Sequence, residues 1–139
     1  MKVVLIKAAM VVVAGFAAAA SSPLRAQEPA IDGKTLFQKN CAACHMASGK
    51  GIPGAFPALA GSKFVQGKGT EVAAVLLKGR GGMPDFSDSL SDRDIATVLT
   101  FVRSNWGNKA DGLSEADVGS LRTTLGVDPF GNSMMSNKH

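Results

Sequence analysis

The 139-residue chain has no tyrosine, one tryptophan, two cysteines and two histidines, and each scarcity narrows what it can be. Two cysteines allow at most one bridge, too few for the disulfide framework of a small secreted domain. A zinc site takes about four ligands, yet the only histidine besides His45 is His139, the last residue. Beyond residue 26 no stretch of strand length alternates apolar with polar residues, and no segment repeats. A sheet protein, a strand–helix thioredoxin-like unit and a repeat array all lack their sequence signal.

Long apolar runs are equally scarce, with one exception at the start. Lys2 and Lys7 precede an uncharged, mostly apolar stretch from Ala8 to Ala20, followed by Ser21, Ser22 and Pro23. A positive start, a short apolar centre and a small-residue exit describe an export signal over residues 1–26, with cleavage after Ala26 although Leu24 is larger than ideal. The competing reading is a retained anchor, but Lys7 interrupts the run and leaves it short for spanning a bilayer. The chain is expected in the periplasm, and at a membrane only if this segment is uncleaved.

Residues 1–26 carry three basic side chains and no acid, so the remaining 113 residues hold twelve basic and eleven acidic side chains, net +1. The formal +4 of the whole chain is therefore mostly a targeting signal, and no nucleic-acid partner is expected. A domain of this size with six phenylalanines and one tryptophan has a thin core and needs a staple.

That staple is legible in Cys41-Ala42-Ala43-Cys44-His45. In an exported chain, two cysteines three apart with a histidine directly behind the second read as a covalent haem attachment site. Each thiol can add across one vinyl group of a porphyrin, and the tight arc sets the imidazole under the iron. A redox-active dithiol, a structural disulfide and half of a zinc site are the alternatives, and the absences above weigh against them. One such motif means one haem c.

In chain order, residues 27–31 read as a flexible lead-in. Asp32 is placed to N-cap a helix in which Phe37 and Cys41, four apart, share a face. From Met46 to Gly69, eight Gly and Pro residues preclude a long helix. The apolar Ile52, Phe56, Leu59, Phe64 and Val65 are spaced like a loop draped over a flat apolar ligand. Thr70 opens a helix with Val72, Val75 and Leu76 on one face, and Gly79 closes it. In Arg80-Gly81-Gly82-Met83-Pro84, a methionine stands in a loop rather than on an apolar stripe. Core filling is the usual role of this residue; beside a haem histidine, a thioether is a ready second iron ligand. Ser91 with Asp94 makes a capping box for the clearest helix, whose stripe is Ile95, Val98, Leu99 and Val102, with Arg93, Thr97 and Arg103 facing away. A last helix starts at Ser114 and presents Val118, Leu121 and Leu125. The domain is expected over residues 32–126, with 127–139 a flexible tail. The fold class is all-α, organised around a ligand.

With Cys41-Ala42-Ala43-Cys44-His45, Phe56-Pro57-Ala58-Leu59-Ala60-Gly61, Gly82-Met83-Pro84 and the helix ending Phe101-Val102-Arg103-Ser104-Asn105-Trp106, the chain resembles the monohaem class I cytochrome c family over roughly residues 32–106. The resemblance implies three to five helices, with His45 and Met83 as axial ligands. It also implies that the Pro57 carbonyl accepts the imidazole hydrogen bond, and that Gly33 and Phe37 pack near Val98, Leu99 and Val102. Gly51 through Pro57 and Asn105 through Asn108 are similar to cytochrome subunits of bacterial periplasmic dehydrogenases, which often carry several haems.

The implied function is one-electron transfer without a small-molecule substrate, from a periplasmic dehydrogenase to an oxidase or another cytochrome. A tightly bound dehydrogenase subunit is the alternative. A peroxidase-like or ligand-sensing protein would require Met83 to be off the iron. Residues 33–80 hold seven basic side chains against Glu71 alone, net +6, whereas residues 81–139 are net −3. Such asymmetry would steer acidic partners if it forms a rim rather than a scatter.

Overall fold

The computed structural model describes residues 31–130. The export segment 1–26, most of the lead-in and positions 131–139 of the tail lie outside the described residues. Five helices follow in order: α1 (Gly33–Asn40), α2 (Ala42–His45), α3 (Gly69–Lys78), α4 (Asp92–Ser104) and α5 (Glu115–Thr124). Among the described residues there is no strand, only two isolated bridges, Ile52 with Phe56 and Arg80 with Met83. The all-α expectation stands, at the upper end of three to five helices.

Three of the five helix starts have a local side-chain cause. Asp32 accepts from the Thr35 backbone at 3.0 Å and from its hydroxyl at 2.7 Å, so the first-turn donors that a helix leaves unpaired find partners. Ser91 with Asp94 and Ser114 with Asp117 form complete capping boxes on α4 and α5. The third helix begins one residue before Thr70, at Gly69, with Lys68 as an N-cap that makes no side-chain bond. There Gly69 lies under Leu113, where an added Cβ would come within 3.0 Å of Leu113 Cδ1.

The core is where α1 crosses α4, with α5 closing over α3 and α4. Leu36 and Phe37 of α1 are buried with Ile95, Val98, Leu99 and Val102 of α4, Val72, Leu76 and Leu77 of α3, and Val118 of α5. Close approach at the crossing depends on Gly33. A Cβ there would stand 2.6 Å from Phe101 Cβ and 2.7 Å from the Thr97 carbonyl oxygen. Phe37 meets Trp106 edge-on with ring centroids 4.9 Å apart, and Phe101 meets Trp106 at 5.4 Å, the tilted arrangement aromatic quadrupoles favour.

One expectation about α4 is corrected. Arg103 does not face away; it is buried. Its Nε–H donates to the Asp111 carbonyl at 2.6 Å and its Nη1–H groups to the Val65 and Gly67 carbonyls at 2.5 and 3.0 Å. Helical periodicity assigns a charged residue to the solvent face. Here the irregular segments on either side supply carbonyls without helix or sheet partners, and the guanidinium fork satisfies three of them.

Candidate functional site

Burial of Phe37 orients the end of α1, where Cys41 caps the helix by donating its backbone N–H to the Phe37 carbonyl at 2.8 Å. The Cys41 carbonyl then accepts from the backbone N–H of Cys44 at 3.2 Å and of His45 at 3.0 Å, winding α2. One turn of helix thus holds both thiols and the imidazole. The thiols are not bonded to each other; Cys41 is half-buried and Cys44 exposed. Burial, with a smaller contribution from Cys44, pushes the Cys41 thiol up to about 11, so at neutral pH it stays protonated.

His45 is 8% exposed. Its Nδ1–H donates to the Pro57 carbonyl, 2.9 Å away, and that bond leaves Nε2 as the electron-pair donor. The structure therefore brings together two of the sequence-derived site residues twelve positions apart. The loop between them is tied by Gly51 N–H to the His45 carbonyl at 3.0 Å and by Leu59 and Ala60 N–H to the Gly49 carbonyl at 2.8 and 2.9 Å.

Met83 stands on a separate tight hairpin. Arg80 and Met83 exchange both backbone bonds at 3.0 Å, and Phe86 N–H donates to the Leu76 carbonyl at 2.7 Å, anchoring the hairpin to α3. The thioether is half-buried against the core. The Arg80 guanidinium lies 5.0 Å from the centre of the Phe64 ring, a cation–π contact joining this hairpin to the loop before α3.

These residues suit a haem as a donor set: two free thiols, an imidazole with a defined tautomer, and a thioether. Of the large apolar side chains that are exposed among the described residues, Met46, Ile52, Phe56 and Phe64 all fall in the segment following His45, and the others, Ile31 and Phe130, stand at the ends. Ile52, Phe56 and Phe64 are each about 40% exposed, so apolar surface is available in the segment that follows the motif. Among the described residues no three His, Cys, Asp or Glu side chains gather as a metal cluster, so the zinc alternative has no donor set there. Nor is any described helix long and apolar enough to cross a membrane.

Two contributors escaped the sequence reading. Arg103 was assigned to solvent, and Asn108 was only part of a helix-ending motif. The Gly and Pro residues between Met46 and Gly69 signal that an irregular backbone needs side-chain donors, but not which residues supply them.

Residues 28–102 match the family described as cytochrome c oxidase, cbb3-type, subunit III. The cytochrome c subunit of the quinone-dependent alcohol dehydrogenase of Gluconobacter oxydans is 38% identical over 105 residues, which cover 66% of this chain and 22% of that protein. Cytochrome c6 of Microcystis aeruginosa is 40% identical over 74 residues, covering 51% of this chain and 90% of that protein. Cytochrome c-552 of Thermus thermophilus is 33% identical over 93 residues, 55% of this chain and 70% of that protein. The chain thus spans less than a quarter of the dehydrogenase subunit but most of the small cytochromes.

Proposed function

The chain belongs to the cytochrome c family, through the domain described as cytochrome c oxidase, cbb3-type, subunit III, and on that premise we propose that it is a periplasmic one-electron carrier built on a single haem c. Electron transfer is the family's work. The finer reading is that residues 1–26 direct export, that residues 32–126 form the carrier domain, and that a periplasmic dehydrogenase donates electrons which a respiratory oxidase or another cytochrome accepts.

Haem c, when bound, supplies the Fe(III)/Fe(II) couple. Cys41 and Cys44 tether it, and His45 offers Nε2 while its Nδ1–H remains on the Pro57 carbonyl. The observation that carries this reading is that hydrogen bond, 2.9 Å long, since a ligating histidine characteristically donates its other ring N–H to a carbonyl or carboxylate. Met83 offers a weak thioether donor, which favours the reduced form. With His45 and Met83 both holding the iron, the bound haem would leave no site open to a substrate. Ile52, Phe56 and Phe64, exposed in the segment that follows His45, would give a bound macrocycle apolar cover against water. Lys34, Lys39, Lys50, Lys63, Lys68, Lys78 and Arg80 are all exposed, and an encounter rate with an acidic partner that falls with ionic strength would show that they steer it.

The test is to mature the protein in a periplasm with haem-attachment machinery. One covalent haem per chain and a low-spin spectrum with the near-infrared band of Met–Fe(III) ligation, lost in Met83→Ala, are expected. A high-spin resting spectrum would overturn the ligand assignment in favour of a sensor or peroxidase-like protein, and a band unaffected by Met83→Ala would move the assignment to another methionine. Similarity to the dehydrogenase subunits supports a second reading, a carrier held permanently in a dehydrogenase complex. Copurification of a dehydrogenase through gel filtration at high salt would favour it over a diffusing carrier.

A further inference from the structure

Pro57 places its carbonyl on His45 from a loop that belongs to no helix or sheet. What holds that loop is therefore part of what sets the imidazole. Two residues beyond Pro57, the Leu59 carbonyl accepts from Asn108 Nδ2 at 3.0 Å, and Gly61 N–H donates to Asn108 Oδ1 at 2.9 Å. The same Nδ2 donates to the Val102 carbonyl at 2.9 Å, one of the helix-end oxygens of α4 that lack an intrahelical partner. Asn108 is 3% exposed. Its amide orientation is unambiguous, because two carbonyls face the nitrogen and one N–H faces the oxygen.

The backbone that presents Asn108 grips the same loop a second time. Trp106 and Gly107 both take left-handed conformations, with φ of 53° and 83°, and Asn108 N–H closes the turn on the Asn105 carbonyl at 2.9 Å. This turn lays the Trp106 ring on Gly49, where a Cβ would come within 2.6 Å of ring carbon Cε3. The Gly49 carbonyl is the acceptor for Leu59 and Ala60. The loop from Gly49 to Gly61 is thus held by a ring at one end and an amide at the other, both from the four residues following α4.

We infer that Asn108 is a positioning residue for the His45–Pro57 pair: by fixing Leu59 and Gly61 it holds the Pro57 carbonyl on Nδ1–H and so sets the donor strength of the imidazole. This inference rests on the proposed haem ligation by His45. A firm Nδ1–H bond makes Nε2 more basic and favours the oxidised form. Loosening it favours the reduced form.

The experiment compares matured wild type, Asn108→Leu, and Val118→Ala as a control. Val118→Ala creates a core defect in α5 without touching the loop. Expected in Asn108→Leu is a severalfold shift of the ferrous-to-ferric ratio toward ferrous at fixed solution potential, with faster exchange of the His45 Nδ1 proton by NMR. Val118→Ala should leave both unchanged at a comparable loss of thermal stability. If both variants move the potential alike, or Asn108→Leu loses stability with potential and exchange unchanged, the inference is overturned.

Should Asn108→Leu not accumulate, wild-type protein decides the matter. Exchange of the Gly61 amide and the Nδ1 proton should respond to denaturant in parallel, and an unprotected Nδ1 proton beside a protected Gly61 amide overturns the inference. Failure of the haem reading itself would be seen separately, as wild-type protein without covalent haem or without a His45 Nδ1 resonance shifted by the iron.

Discussion

Arg103 shows how a single side chain can hold an irregular segment. It is buried without a carboxylate partner among its hydrogen bonds, held by carbonyls of Val65, Gly67 and Asp111. Replacing it with leucine keeps the volume but strands those acceptors, at about 1–3 kcal/mol for each one left unsatisfied. Arg103→Leu should therefore lower the urea midpoint of the matured protein by at least the equivalent of about 2 kcal/mol, without changing the slope. Gly33 is the opposite case, a position where adding atoms does harm. A methyl group would meet Phe101 Cβ at 2.6 Å and the Thr97 oxygen at 2.7 Å, and Gly33→Ala should cost about 1–3 kcal/mol through overpacking, read by thermal melting. Of these two residues the glycine was legible through the family resemblance. The arginine was not, since a 3.6-residue period reports which face a residue occupies and not which loop folds over that face.

At the scale of elements, helix starts are mostly local chemistry, which is why Ser91, Asp94 and Ser114 were readable in advance. Ser91→Ala removes the side-chain acceptor of the α4 box and should cost about 1 kcal/mol, lowering the melting temperature by about 4–8 °C. Acid should weaken α1 and α5 in a defined direction. Hydrogen bonds from Thr35 hold Asp32, and from Ser114 hold Asp117, below the ordinary carboxylate value of 3.8. A depressed folded pKa means that this stabilisation is complete above the unfolded value and is lost as the pH falls through the folded one. The double variant Asp32→Asn/Asp117→Asn keeps both caps but not their titration, so its helical circular dichroism should vary less than wild type below pH 4. The start of α3 reads one residue late, at Thr70, because Lys68 caps it without a side-chain bond and Gly69 carries no helix-start signal of its own.

For the whole molecule, the segment from Met46 to Gly69 has neither helix nor sheet until α3 begins. What orders it comes from elsewhere in the chain: Asn108 on Leu59 and Gly61, Arg103 on Val65 and Gly67, and the Gln66 side chain accepting from Lys109 N–H at 3.1 Å. In the proposed holoprotein the macrocycle supplies the remaining apolar partner. Cys41→Ser/Cys44→Ser made without haem should therefore retain much of α4 and α5 by far-ultraviolet circular dichroism yet bind a hydrophobic dye and melt without cooperativity, whereas a sharp transition would show that the helices suffice. The sequence by itself determined the Cys-x-x-Cys-His spacing, the helical class and the capped starts of α1, α4 and α5, because each rests on residues within a few positions of one another. The family resemblance anticipated the meeting of His45 with Pro57; only the tertiary structure decided that Asn108 and Arg103 turn inward. Unpaired backbone groups of an irregular loop take whichever donors the fold brings to them, and nothing in local spacing says which those are.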